Sequence, residues 1–290
     1  MHEVGDVILA GITSGGAYAI MAIGLSLIYG VSEVFNFAYG TLMILAGYLA
    51  WALFTVLSGV FSSYGVVFVI SIPTMFLLGM GIETSVVRPL RRRANWQLTA
   101  ILSTLCVSLL ISNSILAIIG PYRKALTPLR EGIVSFAGFE VTQNRIAMLA
   151  VFTALLVGLV IFLKRTRLGM SMRAVAQDLV GASIVGIPRD RVFAYTFGLC
   201  TVLAAIGGIF ISSLYGLSPG GGSDYLIRAF IIVVLGGVGS LIGATLGAFT
   251  LGIIESITSW QLGTEWIYPI LFVVFIGVLT LRPRGFLGIR

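Results

Sequence analysis

The run SMRAVAQDLVGASIVGI at residues 171–187 interrupts a chain that otherwise consists mainly of long apolar stretches. Four apolar residues recur within it at helical spacing: Met172, Val175, Leu179 and Ala182. This periodicity predicts an amphipathic helix over 171–187 that ends before Pro188, with polar side chains on the opposite flank. Such a helix lies on a membrane surface or docks into a groove on a soluble partner.

The composition indicates that lipid is the main solvent of this chain. Hydrophobic residues make up 58% of the 290 residues and charged residues only 10%, whereas a soluble domain carries about 25% charged residues. The length suits about eight or nine crossings of roughly 20 residues each. Apolar windows fall at 7–30, 35–57, 64–86, 98–119, 146–163, 192–214, 226–258 and 266–281. We therefore expect an all-α, polytopic transmembrane bundle of about eight spans, forming a single integral membrane domain over 1–290.

The basic residues are grouped between the apolar windows, and the net charge is +7. The three groups lie at 88–93, 164–191 and 282–290. Because cytoplasmic loops carry an excess of Lys and Arg, this placement indicates the inner side of a membrane rather than a nucleic-acid-binding patch. It predicts that the helix at 171–187 and the C-terminus are cytoplasmic and that the N-terminus is outside.

A count of crossings from 164–191 to the basic C-terminus predicts a break in the window at 226–258. The window must enter the membrane, turn at Gly236-Gly-Val-Gly-Ser240 and leave on the same side. The sequence leaves open whether this is a re-entrant element or two short spans.

Irregular backbone at membrane depth is tolerated only where protein or a watery cavity satisfies its polar groups. The break therefore supplies candidates for a translocation path: Gly236, Gly237, Gly239 and Ser240. The alternative is that these glycines allow close helix packing. Two series of small residues suit that role: Gly239, Gly243 and Gly247, and Gly11, Gly15 and Ala19.

The sequence argues against an enzyme. The single histidine is His2, so histidine-based catalytic and metal sites lack their base or ligand. The glycine-rich run at 236–243 lacks the Gly-Lys-Ser/Thr end of a phosphate-binding loop. Cys106 and Cys200 form no CxxC pair. We expect no catalytic residue, no metal site and no cofactor in this chain.

Three carboxylates stand near the ends of the apolar windows: Glu33, Glu83 and Glu255. Interfacial water would solvate them there. None of them forms a carboxylate relay in the middle of the membrane. The pattern therefore argues against the hypothesis of an ion-driven transporter.

The stretch Asn36-Phe-Ala-Tyr-Gly-Thr41 opens the second window. Asn36 and Tyr39 can hydrogen-bond a solute, Phe37 stands between them, and Gly40 permits close approach. The alternative is an asparagine cap followed by an aromatic belt at the membrane interface.

Several stretches resemble the permease subunits of ABC importers of the branched-chain amino acid type, a family that also includes urea and related solute permeases. They are 17–30 running into 36–40, then 166–174, 178–192 and 234–244, followed by the terminal 282–288. They cover nearly the whole chain in the order of the family.

The resemblance implies a permease subunit in a bacterial inner membrane that forms the path for solute and is driven by partner ATPases. The expected partners are a homologous second permease, two cytoplasmic ABC ATPases that hold ATP and Mg, an extracytoplasmic solute-binding protein and membrane lipid, with no nucleic acid. It also implies that 171–187 is the coupling helix that enters a cleft in an ATPase. The residues assigned to that contact are Arg173, Ala174, Asp178, Ala182, Gly186 and Ile187.

The resemblance leaves the solute open between branched-chain amino acids and related small molecules. Relatives often carry His and then Gly-Glu where this chain has Tyr39-Gly40-Thr41. The loss of a cation and a carboxylate suits a neutral or aromatic solute. The alternatives are a urea, amide or aromatic-solute permease, an ion-coupled secondary transporter, a membrane enzyme and a structural scaffold. The sequence does not decide whether the two permeases form a homodimer or a heterodimer. The resemblance favours a heterodimer.

Overall fold

The computed structural model describes residues 2–56, 64–128, 132–136, 139–282 and 285–287. The α-helices, in chain order, are α1 His2–Ser32, α2 Tyr39–Val56, α3 Tyr64–Ile82, α4 Arg88–Leu90, α5 Trp96–Ile119, α6 Gln143–Arg165, α7 Arg167–Gln177, α8 Leu179–Ile184, α9 Arg189–Leu214, α10 Gly222–Gly236, α11 Leu241–Gln261 and α12 Ile267–Leu281. A π-helical turn at Glu83–Val87 joins α3 to α4, and a short 3-10 turn at Thr264–Trp266 precedes α12. Two strands, β1 Ile133–Phe136 and β2 Phe139–Thr142, pair antiparallel.

Eight helices of the described chain are long and apolar enough to cross a membrane, which confirms the predicted number of spans. Helices suit this solvent because every backbone hydrogen bond is made within the segment. The third span is the continuous run Tyr64–Leu90, which contains the π-helical turn. The 15 residues of α10 fall short of the roughly 20 that a crossing needs.

The predicted break in 226–258 is confirmed. α10 ends at Gly236 and α11 begins at Leu241, so the helix is interrupted within the predicted glycine run. The choice between a re-entrant element and two short spans stays a prediction, as does the side of the membrane on which the break lies.

The chain divides into two compact units. Unit 1 contains Met1–Ser26, Pro128–Ala154 and Ile227–Arg290, and unit 2 contains Leu27–Thr127 and Leu155–Leu226.

In unit 1, the small residues of α1 pack directly against α11. A Cβ on Gly11 would lie 2.8 Å from the Ile253 Cα, and one on Gly15 would lie 2.9 Å from the Phe249 Cα. The Ser256 hydroxyl donates to the Val7 carbonyl at 2.7 Å in the same interface. The predicted small-residue face of α1 is thus a helix-packing face, since only small residues let two backbones approach this closely.

In unit 2, α9 packs along both α2 and α3. Gly208 of α9 rests on the backbone of Met43 in α2, where a side chain would overlap the carbonyl. Gly79 of α3 faces Thr201 of α9, whose hydroxyl donates to the Met75 carbonyl at 2.8 Å. These contacts fix α9 at the centre of the unit, and 78% of its most apolar window is buried.

The region predicted as one helix at 171–187 is two short helices. α7 starts at Arg167, four residues earlier, because the Thr166 hydroxyl accepts from the Gly169 amide at 3.0 Å and caps the helix. Asp178 is extended and its carboxylate accepts from the Val180 amide at 2.9 Å, which ends α7 and caps α8. We call residues 167–187 the amphipathic segment.

Candidate translocation and coupling sites

The start of α2 is a buried turn held by Asn36. The Asn36 side-chain oxygen accepts from the Ala38 amide at 3.0 Å, and its backbone carbonyl accepts from the Tyr39 amide at 3.1 Å. Asn36 therefore performs the capping function that the sequence offered as the alternative to a solute contact. Its amide nitrogen and the Tyr39 hydroxyl are both buried and have no hydrogen-bond partner among the described residues. Since buried polar groups are nearly always satisfied, these two atoms are the ones here with free capacity to bind a polar molecule.

A row of hydroxyls on α5 joins the same turn to its neighbours. The contacts are Phe37 N–H to Thr104 Oγ1 at 3.1 Å, Thr41 Oγ1 with Ser108 Oγ at 2.5 Å, and Ser112 Oγ to the Pro219 carbonyl at 2.7 Å. The three α5 residues recur every fourth position and so share one helix face. Sequence analysis missed this row, although its spacing was the signal that could have revealed it.

Gly40 lacks a side chain and so allows another backbone to approach closely. The backbone that approaches it belongs to α10 of the same chain. A Cβ there would overlap the Gly222 carbonyl and lie 2.9 Å from the Leu226 amide nitrogen. Gly40 thus fixes α2 against the start of α10 within unit 2. Its contact with solute stays a prediction.

The break at Gly236–Ser240 lies in unit 1, and several of its backbone groups hydrogen-bond to neighbouring protein groups. Gly237 and Gly239 have positive φ angles of 102° and 81°, a conformation that glycine adopts without strain. The Ser240 hydroxyl accepts from the Gly243 amide at 3.1 Å and caps α11. The last carbonyls of α10, on Leu235 and Gly236, accept from the amides of Phe286 and Leu287, both at 2.9 Å.

The same glycines pack α10 against α11. Gly236 and Gly243 touch backbone to backbone, and a Cβ on Gly247 would lie 2.7 Å from the Ile232 carbonyl. The packing role that the sequence offered for Gly243 and Gly247 is confirmed. The assignment of Gly236, Gly237, Gly239 and Ser240 to a translocation path stays a prediction.

The amphipathic segment has one face anchored in unit 2. Three of the four residues predicted for the apolar face, Met172, Val175 and Ala182, are buried, and the fourth, Leu179, is half-buried. Gly169 rests on the backbone of Leu163 at the end of α6, where a side chain would not fit. The Arg173 guanidinium, which the resemblance assigned to the contact with an ATPase, donates to the Leu163 carbonyl at 3.0 Å. α7 is therefore held tightly to the end of α6.

The end of the segment is a tight turn with an exposed aliphatic surface. Gly186 has a φ of +84°, and the Ile187 amide donates to the Ala182 carbonyl at 3.0 Å. Three aliphatic side chains project outward here: Val180, Ile184 and Val185, exposed by 69%, 80% and 75%. We call these three residues the aliphatic patch. An apolar patch next to basic residues, outside the predicted spans, is typical of a surface that a protein partner or the membrane surface covers.

A network of charges joins the start of α9 to the end of the third span. Arg91 pairs with the fully buried Glu83, and its second nitrogen donates to the Asp190 carboxylate at 2.9 Å. Arg88 donates to the other Asp190 oxygen at 2.8 Å, and the Arg91 guanidinium lies 4.2 Å from the centre of the Phe193 ring. We call Glu83, Arg88, Arg91 and Asp190 the Arg91 network.

Burial lowers the pKa of Arg91 to about 10, although Asp190 acts in the opposite direction. The guanidinium therefore stays charged at neutral pH. The expectation that interfacial water solvates the carboxylates is correct for the exposed Glu33 and wrong for Glu83 and Glu255, since each of the latter pairs with an arginine.

An open cleft of about 80 Å³ lies beside Phe193, the residue whose ring contacts the Arg91 guanidinium. It is lined by residues 30–33 at the end of α1, Trp96, residues 175–177 and 179, Arg189 and Phe193. The amphipathic segment and the start of α9 thus share one accessible opening. Among the described residues, no group of three or more His, Cys, Asp or Glu side chains could hold a metal ion.

The spans, with the amphipathic segment between two of them, define a polytopic membrane protein, and comparison with known families defines its class as a transport permease. The model of the family described as "Branched-chain amino acid transport system / permease component" matches residues 7–281. The chain belongs to this family.

Individual relatives agree with the family match. The high-affinity branched-chain amino acid transport system permease protein LivH of Salmonella typhimurium is 33% identical, over 96% of this chain and 93% of the relative. The corresponding protein BraD of Pseudomonas aeruginosa is 32% identical, over 96% and 94%. A probable branched-chain amino acid transport permease protein LivH of Methanocaldococcus jannaschii is 26% identical, over 93% and 88%. The resemblance noted in the sequence is thereby confirmed for the family.

Proposed function

We propose that this chain is one permease subunit of an ATP-driven importer in a bacterial inner membrane. It pairs with a homologous second permease, receives solute from an extracytoplasmic binding protein and is driven by two cytoplasmic ATPases that hold ATP and Mg. The amphipathic segment and the C-terminus face the cytoplasm in this proposal. The family match and the grouping of basic residues support it.

The observation that carries the proposal is the two-faced construction of the amphipathic segment. One face is anchored by the buried Met172 and Val175, while the aliphatic patch on the other is exposed. Exposed aliphatic side chains are unfavourable in water, and covering them by an ATPase would remove that cost. Because α7 is fixed to α6 and leads through α8 into α9, motion of a bound ATPase would move spans and switch the access of the pathway.

The proposed solute is a branched-chain amino acid, as in the names of the relatives, or a related small molecule. The free hydrogen-bonding capacity at Asn36 and Tyr39 supports contact with a polar solute at the start of α2. Neither residue carries a charge, so an aromatic or amide-containing solute such as urea is the alternative.

The test uses the full complex, with the second permease, the ATPases and the binding protein, reconstituted in lipid vesicles. Radiolabelled leucine, phenylalanine and urea are offered separately, with and without ATP. We expect ATP-dependent uptake, fastest for leucine. The Ile184→Asp variant should abolish it by placing a carboxylate in the covered patch, while the matched Ile184→Met variant should retain it.

Uptake that needs no ATP would contradict the proposal, as would full uptake by the Ile184→Asp complex. Uptake that an ionophore abolishes in the absence of ATP would favour the ion-coupled transporter instead. The pairing of both Glu83 and Glu255 with arginine disfavours that alternative, because a proton carrier needs a carboxylate that is free to change its charge.

A further inference from the structure

The Arg91 network connects two parts of unit 2 that differ in their exposure to solvent. Asp190 stands in the first turn of α9, two residues after Pro188 and directly beyond the amphipathic segment. Its side chain is 46% exposed. Glu83 is fully buried and is the first residue of the π-helical turn in the third span. Arg91, whose side chain is only 7% exposed, binds both carboxylates.

Arg91 resists separation from either carboxylate. If α9 moved without Arg91, the 2.9 Å contact to Asp190 would break and leave a largely buried guanidinium with one carboxylate. Removing a partner from a buried charge is costly, whereas displacing the whole network together is not. The Phe193 ring of α9 lies against the same guanidinium and adds to the attachment. A displacement of α9 at Asp190 is therefore passed on to Arg91.

The π-helical turn is the point of the third span at which such a displacement can be absorbed. Wide turns of this kind interrupt the regular α-helical ladder and occur often at functional sites. On its N-terminal side, α3 is fixed to α9 by the Thr201–Met75 hydrogen bond and by the close approach at Gly79. On its C-terminal side, the chain is attached to α9 through the ion pairs of Arg88 and Arg91 with Asp190. Residues 83–87 thus lie between two attachments to the same helix.

We propose that Arg91 is a positioning residue that transmits movement of the amphipathic segment to the third span, and that the turn Glu83–Val87 rearranges in response. The inference rests on the proposed function, since it takes an ATPase bound at the aliphatic patch as the source of the movement.

The test measures solute transported per ATP hydrolysed in the reconstituted complex, using whichever of leucine, phenylalanine and urea the wild type takes up fastest. Asp190→Asn is the principal variant, because the residue is half exposed and its replacement leaves the buried Glu83 paired with Arg91. We expect the ratio to fall about fivefold or more, the lower end of typical coupling between sites. ATP hydrolysis and the yield of assembled complex should stay near wild type.

Two further variants and a control separate positioning from simple folding. Asp190→Glu keeps the charge and should retain the wild-type ratio. Arg91→Lys also keeps its charge, but an ammonium cannot present the planar fork that serves two carboxylates, so the ratio should fall. Arg92→Gln removes a charge from the exposed neighbouring residue and should change nothing.

A wild-type ratio in both Asp190→Asn and Arg91→Lys would overturn this inference and leave the proposed function standing. If both variants lost ATP hydrolysis, uptake and assembled complex in parallel, the inference would also be overturned, because the role of the network would then be structural only. Absence of ATP-dependent uptake by the wild type, or insensitivity to Ile184→Asp, would overturn both proposals.

Discussion

Each compact unit of the chain buries an arginine against a glutamate, and the surroundings of the two pairs differ. In unit 1, Arg228 of α10 contacts Glu255 of α11 at 3.0 Å, and both side chains are at most 14% exposed. The Tyr268 hydroxyl of α12 lies 2.9 Å from a second guanidinium nitrogen, and the Tyr18 ring of α1 lies 6.0 Å from the guanidinium carbon. In unit 2, the corresponding Arg91 reaches a second carboxylate that is half exposed.

The difference indicates a structural role for the Arg228 pair and a role in transmitting movement for the Arg91 network. The Arg228 pair is enclosed by four helices of its own unit, so its described contacts stabilise the packing of those helices. The Arg91 network extends from a buried glutamate to the half-exposed Asp190, three residues beyond the amphipathic segment in the chain. Loss of the first pair should therefore reduce stability, and loss of the second should affect what the protein does when a partner binds.

The largest effect is expected from Arg228→Met. The variant leaves Glu255 buried without its cation, which should lower the free energy of unfolding by about 3–5 kcal/mol. Denaturant unfolding of the purified chain in mixed micelles measures the change. The matched control is Arg92→Met, an exposed arginine that should cost little. Equal stability of the two variants would show that the Arg228 pair contributes nothing to folding.

The sequence predicted the parts of this fold that depend on local patterns. Apolar length located the spans, and the glycine run correctly located the break between α10 and α11. The spacing of Met172, Val175 and Ala182 identified the buried face of the amphipathic segment. Such patterns are sufficient because a helix satisfies its own backbone and only its faces must match their surroundings.

The sequence could not predict contacts between residues that are distant along the chain. Glu83 and Glu255 stood near predicted helix ends, and nothing local showed that Arg91 and Arg228 would pair with them. Asp190 enters its network from α9, 99 residues beyond Arg91.

A local feature, the split of the predicted helix at Asp178, was also missed. The apolar periodicity continues across Asp178, and the hydrogen bond that caps α8 depends on a local turn.

A smaller effect is expected when both members of a buried pair are replaced. Arg228→Met with Glu255→Leu removes both charges, so the loss of unfolding free energy should shrink to about 1–2 kcal/mol. Arg91→Met with Glu83→Leu should regain stability in the same way. We expect the first double variant to keep the wild-type ratio of solute to ATP and the second to lose it. Identical ratios in the two double variants would remove the proposed difference between the pairs.

The smallest effect is expected from Arg88→Gln, which breaks the exposed arm of the Arg91 network. The Arg88 and Asp190 side chains are 49% and 46% exposed, so solvent screens their 2.8 Å contact. Exposed pairs contribute at most about 1 kcal/mol, so unfolding in mixed micelles should barely change. Asp190 keeps its bond to Arg91, so the transport ratio should also be preserved. If Arg88→Gln reduced that ratio as strongly as Asp190→Asn, the transmission would depend on the charge around Asp190 and not on its bond to Arg91.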